Sequence, residues 1–276
     1  MDYLVIGHLT GDKTQSGIQP GGTAAYAALT AQALGCQSGI LTAFDKNEFD
    51  FSKLNCIPII SPNDRQTTVF ENRMQGSHRQ QMIHQWAGPI PLDNLPKDWH
   101  TPTIVHIGPV ANEVEPSWLK QFSHSYKGFT PQGIMRTWGT DGIIHRTPIV
   151  LNPDLLGIIS AIIFSIEDVA EDEDIIDAYA RQAAVVIVTE GSKGVRVFCQ
   201  GEKQFFPAPV VHELDSTGAG DIFAAAFFCY HAQTQNPWQA AKFAAQIAAI
   251  SVTRNGLDSV PTLDEIKNLT WTFNKE

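Results

Sequence analysis

The sequence is poor in cysteine, in basic residues and in long apolar runs, and each deficit excludes a class of protein. Its four cysteines, Cys36, Cys56, Cys199 and Cys229, are widely spaced and form no CxxC pair, which argues against a disulfide framework or a zinc site. Lys and Arg number 19 against 29 Asp and Glu, a net charge of -10, so we expect no nucleic-acid or membrane partner. No run approaches the length of a membrane span and no secretory leader is recognisable, so we expect a cytoplasmic protein.

Two nucleotide-binding motifs are also missing. The chain has no GxxxxGK[ST], which argues against a P-loop kinase. No GxGxxG follows the first apolar segment, which argues against a dinucleotide-dependent oxidoreductase. The chain has 276 residues, of which 43% are hydrophobic, so it can bury a sizeable core. We predict a single α/β domain over residues 1–276.

What is present is an alternation of apolar strands and Ala-rich helices. YLVIGHL, GGTAAYAALTAQALGC and SGILTAF read as strand, helix and strand, a βαβ unit that predicts a parallel sheet. The rhythm returns from TIVHIG to AVVIVTEG, with EPSWLKQFS and DVAEDEDIIDAYARQ as predicted helices. Two long Ala-rich helices follow, and Asn236 with Pro237 gives the second of them a typical start.

One region interrupts this rhythm. Between Ile57 and Trp86 the segments IPIIS, QTTVFENRM and SHRQQMIHQW alternate polar and apolar residues, and MQGS supplies a turn. No helix pattern intervenes. We therefore predict a small antiparallel β lid, inserted from about residues 11–20 and 57–86.

The stretch DSTGAGD, from Asp215 to Asp221, carries the strongest chemical signal. Gly218 and Gly220 permit a close approach of a ligand to the backbone. If a helix starts at about Ala219, its free N–H groups and positive dipole end form an anion hole with Asp221 beside it. An acid beside a phosphate site is what phosphoryl transfer to a hydroxyl requires. A plain helix cap is the alternative interpretation.

Two further motifs accompany this stretch, the Gly21-Gly22 pair before the first helix and VTEGSKGVRVF at residues 188–198. Together the three resemble the ribokinase-like (PfkB-type) carbohydrate kinase family over essentially the whole chain. IGHLTGD, GGTAAY and TPQGIMRTWGTDG are most similar to the myo-inositol kinase-like branch. The resemblance implies a doubly wound, mostly parallel sheet with helices on both faces and a small β lid. It also implies magnesium-dependent transfer of the γ-phosphate of ATP to an alcohol.

The resemblance implies a role for each matching residue. Asp221 corresponds to the general base, with the amides of Gly218, Ala219 and Gly220 as the anion hole. The residues implied on the ATP side are Thr189, Gly191, Gly194, Thr217, Gly218, Gly220 and Asn255. The residues implied on the acceptor side are Asp12, Gly21, Gly22, Tyr26 and Arg136. For Arg136 a packing or salt-bridge role is the alternative, and for Asp12 the alternative is a solvated loop acid.

Two departures from the family pattern concern the metal and the acceptor. The usual Asn-x-x-Glu is SIED here, Ser165 to Asp168, so Asp168 would act on magnesium through a water, with Glu167 as a competing assignment. Tyr26 stands where many sugar kinases have an asparagine. A phenol cannot make the paired amide hydrogen bonds that read a diol, but its ring can stack on an apolar sugar face.

Three functions remain open from the sequence. The first is an ATP-dependent kinase of a sugar or cyclitol such as myo-inositol. The second is a nucleoside kinase on the same fold, since a fold does not fix its substrate. The third is a protein that binds sugar or nucleotide without turnover. For the assembly we expect either a monomer or a homodimer formed through the lids.

Overall fold

The computed structural model describes residues 1–14, 17–62, 66–75 and 78–269. The strands are β1 Tyr3–Ile6, β2 Thr10–Thr14, β3 Gly17–Gly21, β4 Ser38–Leu41, β5 Ile59–Ile60, β6 Thr68–Gln75, β7 His78–Gln85, β8 Ile104–Ile107, β9 Tyr126–Phe129, β10 Arg136–Trp138, β11 Ile144–Arg146, β12 Ala161–Ser165, β13 Val185–Thr189, β14 Gly194–Cys199 and β15 Glu202–Pro207. The helices are α1 Thr23–Ala33, α2 Pro153–Leu156, α3 Glu173–Ala180, α4 Ala219–Thr234, α5 Pro237–Ser251 and α6 Leu263–Asn268.

A central sheet of nine strands organises the molecule. Its order is β15-β14-β13-β12-β9-β8-β1-β4-β5. Every pairing from β5 to β13 is parallel, and β14 and β15 add an antiparallel edge. The predicted fold class is confirmed. The strand order reverses between β1 and β8, where an open α/β sheet places its ligand crevice beyond the carboxyl ends of the strands.

Helices on both faces of this sheet complete two apolar cores. The helices α1, α4 and α5 pack over one face, and the sequence of α4 is apolar on all sides because it is buried between the sheet and its neighbours. The second core lies on the other face and includes Leu119, Leu156, Ile176 and Tyr179. The strands β1, β4 and β8 are buried along their whole length, as expected for parallel strands covered on both sides.

The lid is a second sheet, of order β3-β2-β6-β7. β2–β3 and β6–β7 are antiparallel, and β2–β6 is parallel. The short hairpin of β10 and β11 extends it, because Ile83 N donates to Gly142 O at 2.8 Å and Met82 forms a bridge with Ile143. The predicted lid turn at Gly76 and Ser77 lies outside the described residues, as do parts of both predicted lid segments.

Two local predictions need correction. The structure places Ile59–Ile60 in the central sheet beside β4 rather than in the lid, so the second lid segment begins at Thr68 and not near residue 57. The segment EPSWLKQFS, predicted as an α-helix, forms a 3₁₀ helix over Pro116–Gln121. Pro116 occupies its first position, and the segment stays in the tighter 3₁₀ winding over its whole length. Asn236 caps α5 as predicted, since its side chain accepts from Gln239 N. Among the described residues no helix is both long and apolar enough to cross a bilayer.

Candidate active site

A cavity of about 1030 Å³ opens between the lid and the carboxyl ends of the central strands. Most of the predicted site residues line it: Asp12, Gly22, Tyr26, Arg136, Asp168, Thr189, Gly191, Gly194, Thr217, Gly218, Ala219, Gly220 and Asp221. Gly21 and Asn255 are not part of this lining. Gly21 instead lies against the Asp12 carboxylate, with no room for a Cβ between them, and Asn255 precedes the turn at Gly256–Ser259.

The start of α4 forms the centre of the cavity wall. Gly218 caps the helix with a left-handed backbone, φ 79°, which glycine adopts without the strain that a Cβ would bring. The structure corrects one member of the predicted anion hole, because Ala219 N donates to Ser216 O at 3.2 Å. In the described part of the chain the amides of Gly218, Gly220 and Asp221 have no protein acceptor. These three amides and the positive end of α4 suit an anion.

Asp221 lies in the first turn of α4, and its carboxylate is partly buried in the wall. Thr23 Oγ1, at the start of α1, donates to Asp221 Oδ1 at 2.6 Å. Burial raises the pKa of Asp221 to about 6, while the Thr23 hydroxyl and Arg136 lower it and Asp168 raises it further. The group is therefore ionised at neutral pH but basic enough to accept a proton.

The Gly-Gly pair brings α1 to the same place. Gly22 has φ 93°, and a Cβ on it would lie 2.5 Å from His8 O. Because Gly22 has no side chain, the backbone can pass close to His8 where it leaves the lid strand β3 and enters α1. Thr23 thereby meets Asp221 although 198 residues separate them in sequence.

Tyr26 connects the two glycine motifs. Its side chain is only 2% exposed, and a Cβ on Gly218 would lie 2.5 Å from its ring. The ring thus packs directly on the backbone that caps α4. Burial, followed by the charges of Asp12 and Asp221, raises the pKa of Tyr26, so the phenol keeps its proton and can donate a hydrogen bond. The predicted stacking on a sugar face stays a prediction.

Arg136 is fixed on the opposite wall. Its Nη1 donates to Val110 O at 2.8 Å, and its guanidinium lies 5.5 Å from the centre of the Phe70 ring. Burial lowers the pKa of Arg136, and the charges of Asp168 and Asp221 oppose that change. An arginine stays protonated in proteins, so the cavity holds a fixed positive charge near Asp221.

The other end of the cavity is shaped by glycine and small apolar residues. Thr189 ends β13, and Gly191 and Gly194 have φ 57° and 134° in the turn that follows. At Gly194 the Phe206 carbonyl leaves no room for a Cβ. Beyond this residue the cavity wall is apolar. Its members are Ala208, Pro209, Val210, Val211, Ala245, Ala248, Ala249 and Val252.

Comparisons with known proteins give the same fold and point to one family. A sequence profile of the pfkB family of carbohydrate kinases matches residues 160–263, which include the DSTGAGD stretch and the turn after β13. This segment of the chain is thus similar to the pfkB family of carbohydrate kinases. The ribokinase of Bacillus subtilis is 35% identical over 94 residues, which are 34% of this chain and 32% of that protein. The match therefore spans only about a third of the length of that relative.

Similarities that extend over most of the chain have lower sequence identity. A cytidine kinase of Thermococcus kodakarensis is 26% identical over 254 residues, 82% of this chain and 87% of that protein. A pyrophosphate-dependent kinase in the ribokinase family, in complex with sulfate, has a TM-score of 0.79 at 18% identity and covers 96% of this chain and 99% of its own. A pyrophosphate-dependent kinase with a pyrophosphate analogue and myo-inositol bound has a TM-score of 0.77 at 20% identity, with the same coverage.

Similarity to the pfkB family implies magnesium, and one carboxylate of the cavity could contact a magnesium-bound water. Among the described residues no three His, Cys, Asp or Glu side chains are grouped to hold a metal by themselves. Asp168 is 7% exposed and accepts from Ser165 N and Gln132 Nε2. Burial raises its pKa, against the effect of Arg136. Because magnesium bound to a nucleotide keeps waters and phosphate oxygens as ligands, one such carboxylate fits a contact to a magnesium-bound water.

The competing assignment, Glu167, is engaged elsewhere. It accepts from Arg146 Nη2 at 2.7 Å at the edge of the cavity, and both side chains are more than half exposed. Arg146 was not identified from the sequence as a site residue. The Asp141-Gly142 dipeptide between two extended segments is a hairpin signal, and such a hairpin brings Arg146 opposite Arg136. Thr23 was missed as well.

We expect Thr23→Val to raise the pKa of Asp221 above about 6, because it removes the hydroxyl that stabilises the ionised carboxylate. Thr23→Ser keeps that hydroxyl and should leave the pKa near the wild-type value. The measurement is a carbon-13 NMR titration of aspartate side-chain carboxyls in the wild type and both variants, with Asp221→Asn to assign the signal. An unchanged titration midpoint in Thr23→Val would contradict the described contact.

Proposed function

We propose that this protein is an ATP-dependent kinase that transfers the γ-phosphate to a hydroxyl of a small polyhydroxylated acceptor, a sugar or a cyclitol such as myo-inositol. The observation that carries the proposal is the partly buried Asp221 carboxylate, with its raised pKa, in the first turn of a helix whose leading amides have no protein acceptor. A base and an anion site are thereby adjacent. That is the pairing that phosphoryl transfer to an alcohol requires.

In this mechanism Asp221 accepts the proton of the acceptor hydroxyl as its oxygen attacks phosphorus. Thr23 holds one carboxylate oxygen, which leaves the other for the acceptor. The amides of Gly218, Gly220 and Asp221 stabilise charge on the oxygens of the transferred group. Magnesium would neutralise phosphate charge when bound with the donor, and Asp168 is the residue we assign to it, through water.

The donor is assigned to the end of the cavity that the turn after β13 forms. The backbone of Thr189, Gly191 and Gly194 can approach phosphates there, and Thr217, which also lines the cavity, directly precedes Gly218 of the anion site. The apolar wall from Ala208 to Val211 and along α5 suits a nucleotide base. Pyrophosphate, the donor named for the structural neighbours, has no apolar part to cover that wall.

The acceptor is assigned to the end between Asp221 and the lid. Asp12, Tyr26 and Arg136 face it, and the lid adds Asn72 and Gln81, which are opposite one another in the β6–β7 register. A carboxylate, a phenol, a guanidinium and carboxamides are hydrogen-bonding groups for hydroxyls. A nucleoside acceptor is the second candidate, favoured by the similarity to a cytidine kinase over 82% of this chain.

Asp221→Asn removes the proposed base and keeps the shape of the side chain. We expect kcat to fall by about 10²-fold or more, the usual scale for loss of a general base, with little change in ATP affinity. A coupled assay of ADP release and a calorimetric titration with ATP measure the two quantities. Asp154→Asn, an exposed residue in the first turn of α2, is the matched control. Unchanged turnover in Asp221→Asn would remove this residue from the role of base.

A panel of donors and acceptors tests the substrate assignment. With wild-type protein and magnesium we expect phosphorylated product from ATP and myo-inositol or a hexose, followed by phosphorus-31 NMR. Pyrophosphate should not replace ATP, because it leaves the apolar wall uncovered. Product from pyrophosphate but not from ATP would refute the donor assignment, and product only from cytidine or another nucleoside would establish the second candidate.

A further inference from the structure

The hairpin of β10 and β11 brings two arginines to one wall of the cavity. Arg136 and Arg146 are directly opposite in its register, so their side chains leave the same face, and both line the cavity. Like charges placed opposite one another destabilise a strand pair. Consistent with this, Arg146 adds to the effect of burial in lowering the pKa of Arg136. The charges of Asp168 and Asp221 near Arg136, and the contact of Arg146 with Glu167, offset this repulsion.

The two arginines are held very differently. Arg136 is fixed by the Val110 carbonyl and by the ring of Phe70. The Arg146 side chain is 52% exposed, and it forms an ion pair at 2.7 Å with Glu167, whose side chain is 65% exposed. An ion pair so open to solvent contributes little to stability. The Arg146 guanidinium can therefore change partners at small cost.

The position of Arg146 relates it to the donor rather than to the acceptor. Its partner Glu167 follows β12, whose last residue Ser165 pairs with Thr189, where the donor turn begins. Glu167 also directly precedes Asp168, the residue assigned to magnesium-bound water. The contact with Glu167 therefore holds Arg146 beside the end of the cavity assigned to the donor.

The cavity lining holds more acidic than basic residues, so a phosphate chain would need a positively charged side chain to bind there. Among its described lining residues the acids are Asp12, Glu167, Asp168, Glu213 and Asp221, the arginines are Arg136 and Arg146, and the one histidine is His145. A phosphate chain that enters such a cavity adds further negative charge. Because Arg136 is fixed in the wall, Arg146 is the arginine of that lining whose guanidinium is free to meet the phosphate chain.

We propose that Arg146 binds the phosphate chain of the donor, exchanging the Glu167 carboxylate for phosphate oxygens as the donor enters. The planar guanidinium can donate two parallel hydrogen bonds to phosphate, which makes such contacts specific as well as strong. The inference rests on the proposed phosphoryl-transfer function and adds a phosphate ligand from the hairpin that extends the lid. Donor binding is thereby linked to the hairpin wall that also holds Arg136.

The test compares Arg146→Gln and Arg146→Lys with the control Arg181→Gln. Arg181 is also exposed and paired with an acid, Asp177, but it lies just after α3 and is not in the cavity lining. Calorimetry with ATP, with adenosine and with pyrophosphate, each with magnesium and no acceptor, measures binding without turnover. We expect Arg146→Gln to weaken ATP binding by about tenfold or more, the scale of a lost charge-assisted hydrogen bond, and to leave adenosine binding unchanged. Arg146→Lys should lie between.

Each other outcome decides a different point. ATP binding that is equal in Arg146→Gln, Arg181→Gln and the wild type overturns the inference. Adenosine binding that weakens as much as ATP binding also overturns it, because the effect would then be structural. If the wild type binds pyrophosphate but not ATP, the nucleotide donor proposed above is wrong, and the same comparison with pyrophosphate decides the role of Arg146. A wild type that binds neither overturns both proposals.

Discussion

The contact between Thr23 Oγ1 and Asp221 Oδ1, at 2.6 Å, is the constraint on which the rest of the site depends. It joins the first residue of α1 to the first turn of α4. Both helix starts rest on glycines, Gly22 and Gly218, whose backbones have no room for a side chain. The Tyr26 ring fills the space beside Gly218. The hydrogen bond from Thr23 stabilises the ionised Asp221 carboxylate in a largely apolar surrounding, where a charge without a partner would be costly.

The two ends of the cavity differ in character. Near Asp221 the groups are polar and fixed by hydrogen bonds to backbone, as for Arg136 and Val110. Toward α5 the wall is made of small apolar side chains. Burial of Asp221 raises its pKa, and the neighbouring Thr23 and Arg136 limit that rise. The same environment therefore sets the pKa of Asp221 and the geometry of the amides beside it.

Much of the fold could be predicted because its signals are local. A short apolar run predicts a strand, and an Ala-rich stretch predicts a helix, from that segment alone. In the same way Asn236 and Pro237 predict where α5 begins. The two-residue strand Ile59–Ile60 could not be assigned to the correct sheet, since a short apolar run fits either. In the site, Asp221 and its glycines were predictable from DSTGAGD. The Thr23 contact and the turn that occupies the Ala219 amide depend on helix packing and loop closure, which no local pattern reports.

The pH dependence of kcat/KM for the acceptor tests most directly whether Asp221 acts as the base in its partly buried setting. This parameter reports the ionisation of the free enzyme. Because the base must be deprotonated and burial raises its pKa to about 6, kcat/KM should be level at neutral pH and should fall as the pH drops through about 6. A profile that stays flat down to about pH 4, the ordinary range of an aspartate, would contradict the role of a partly buried carboxylate at the mouth of α4.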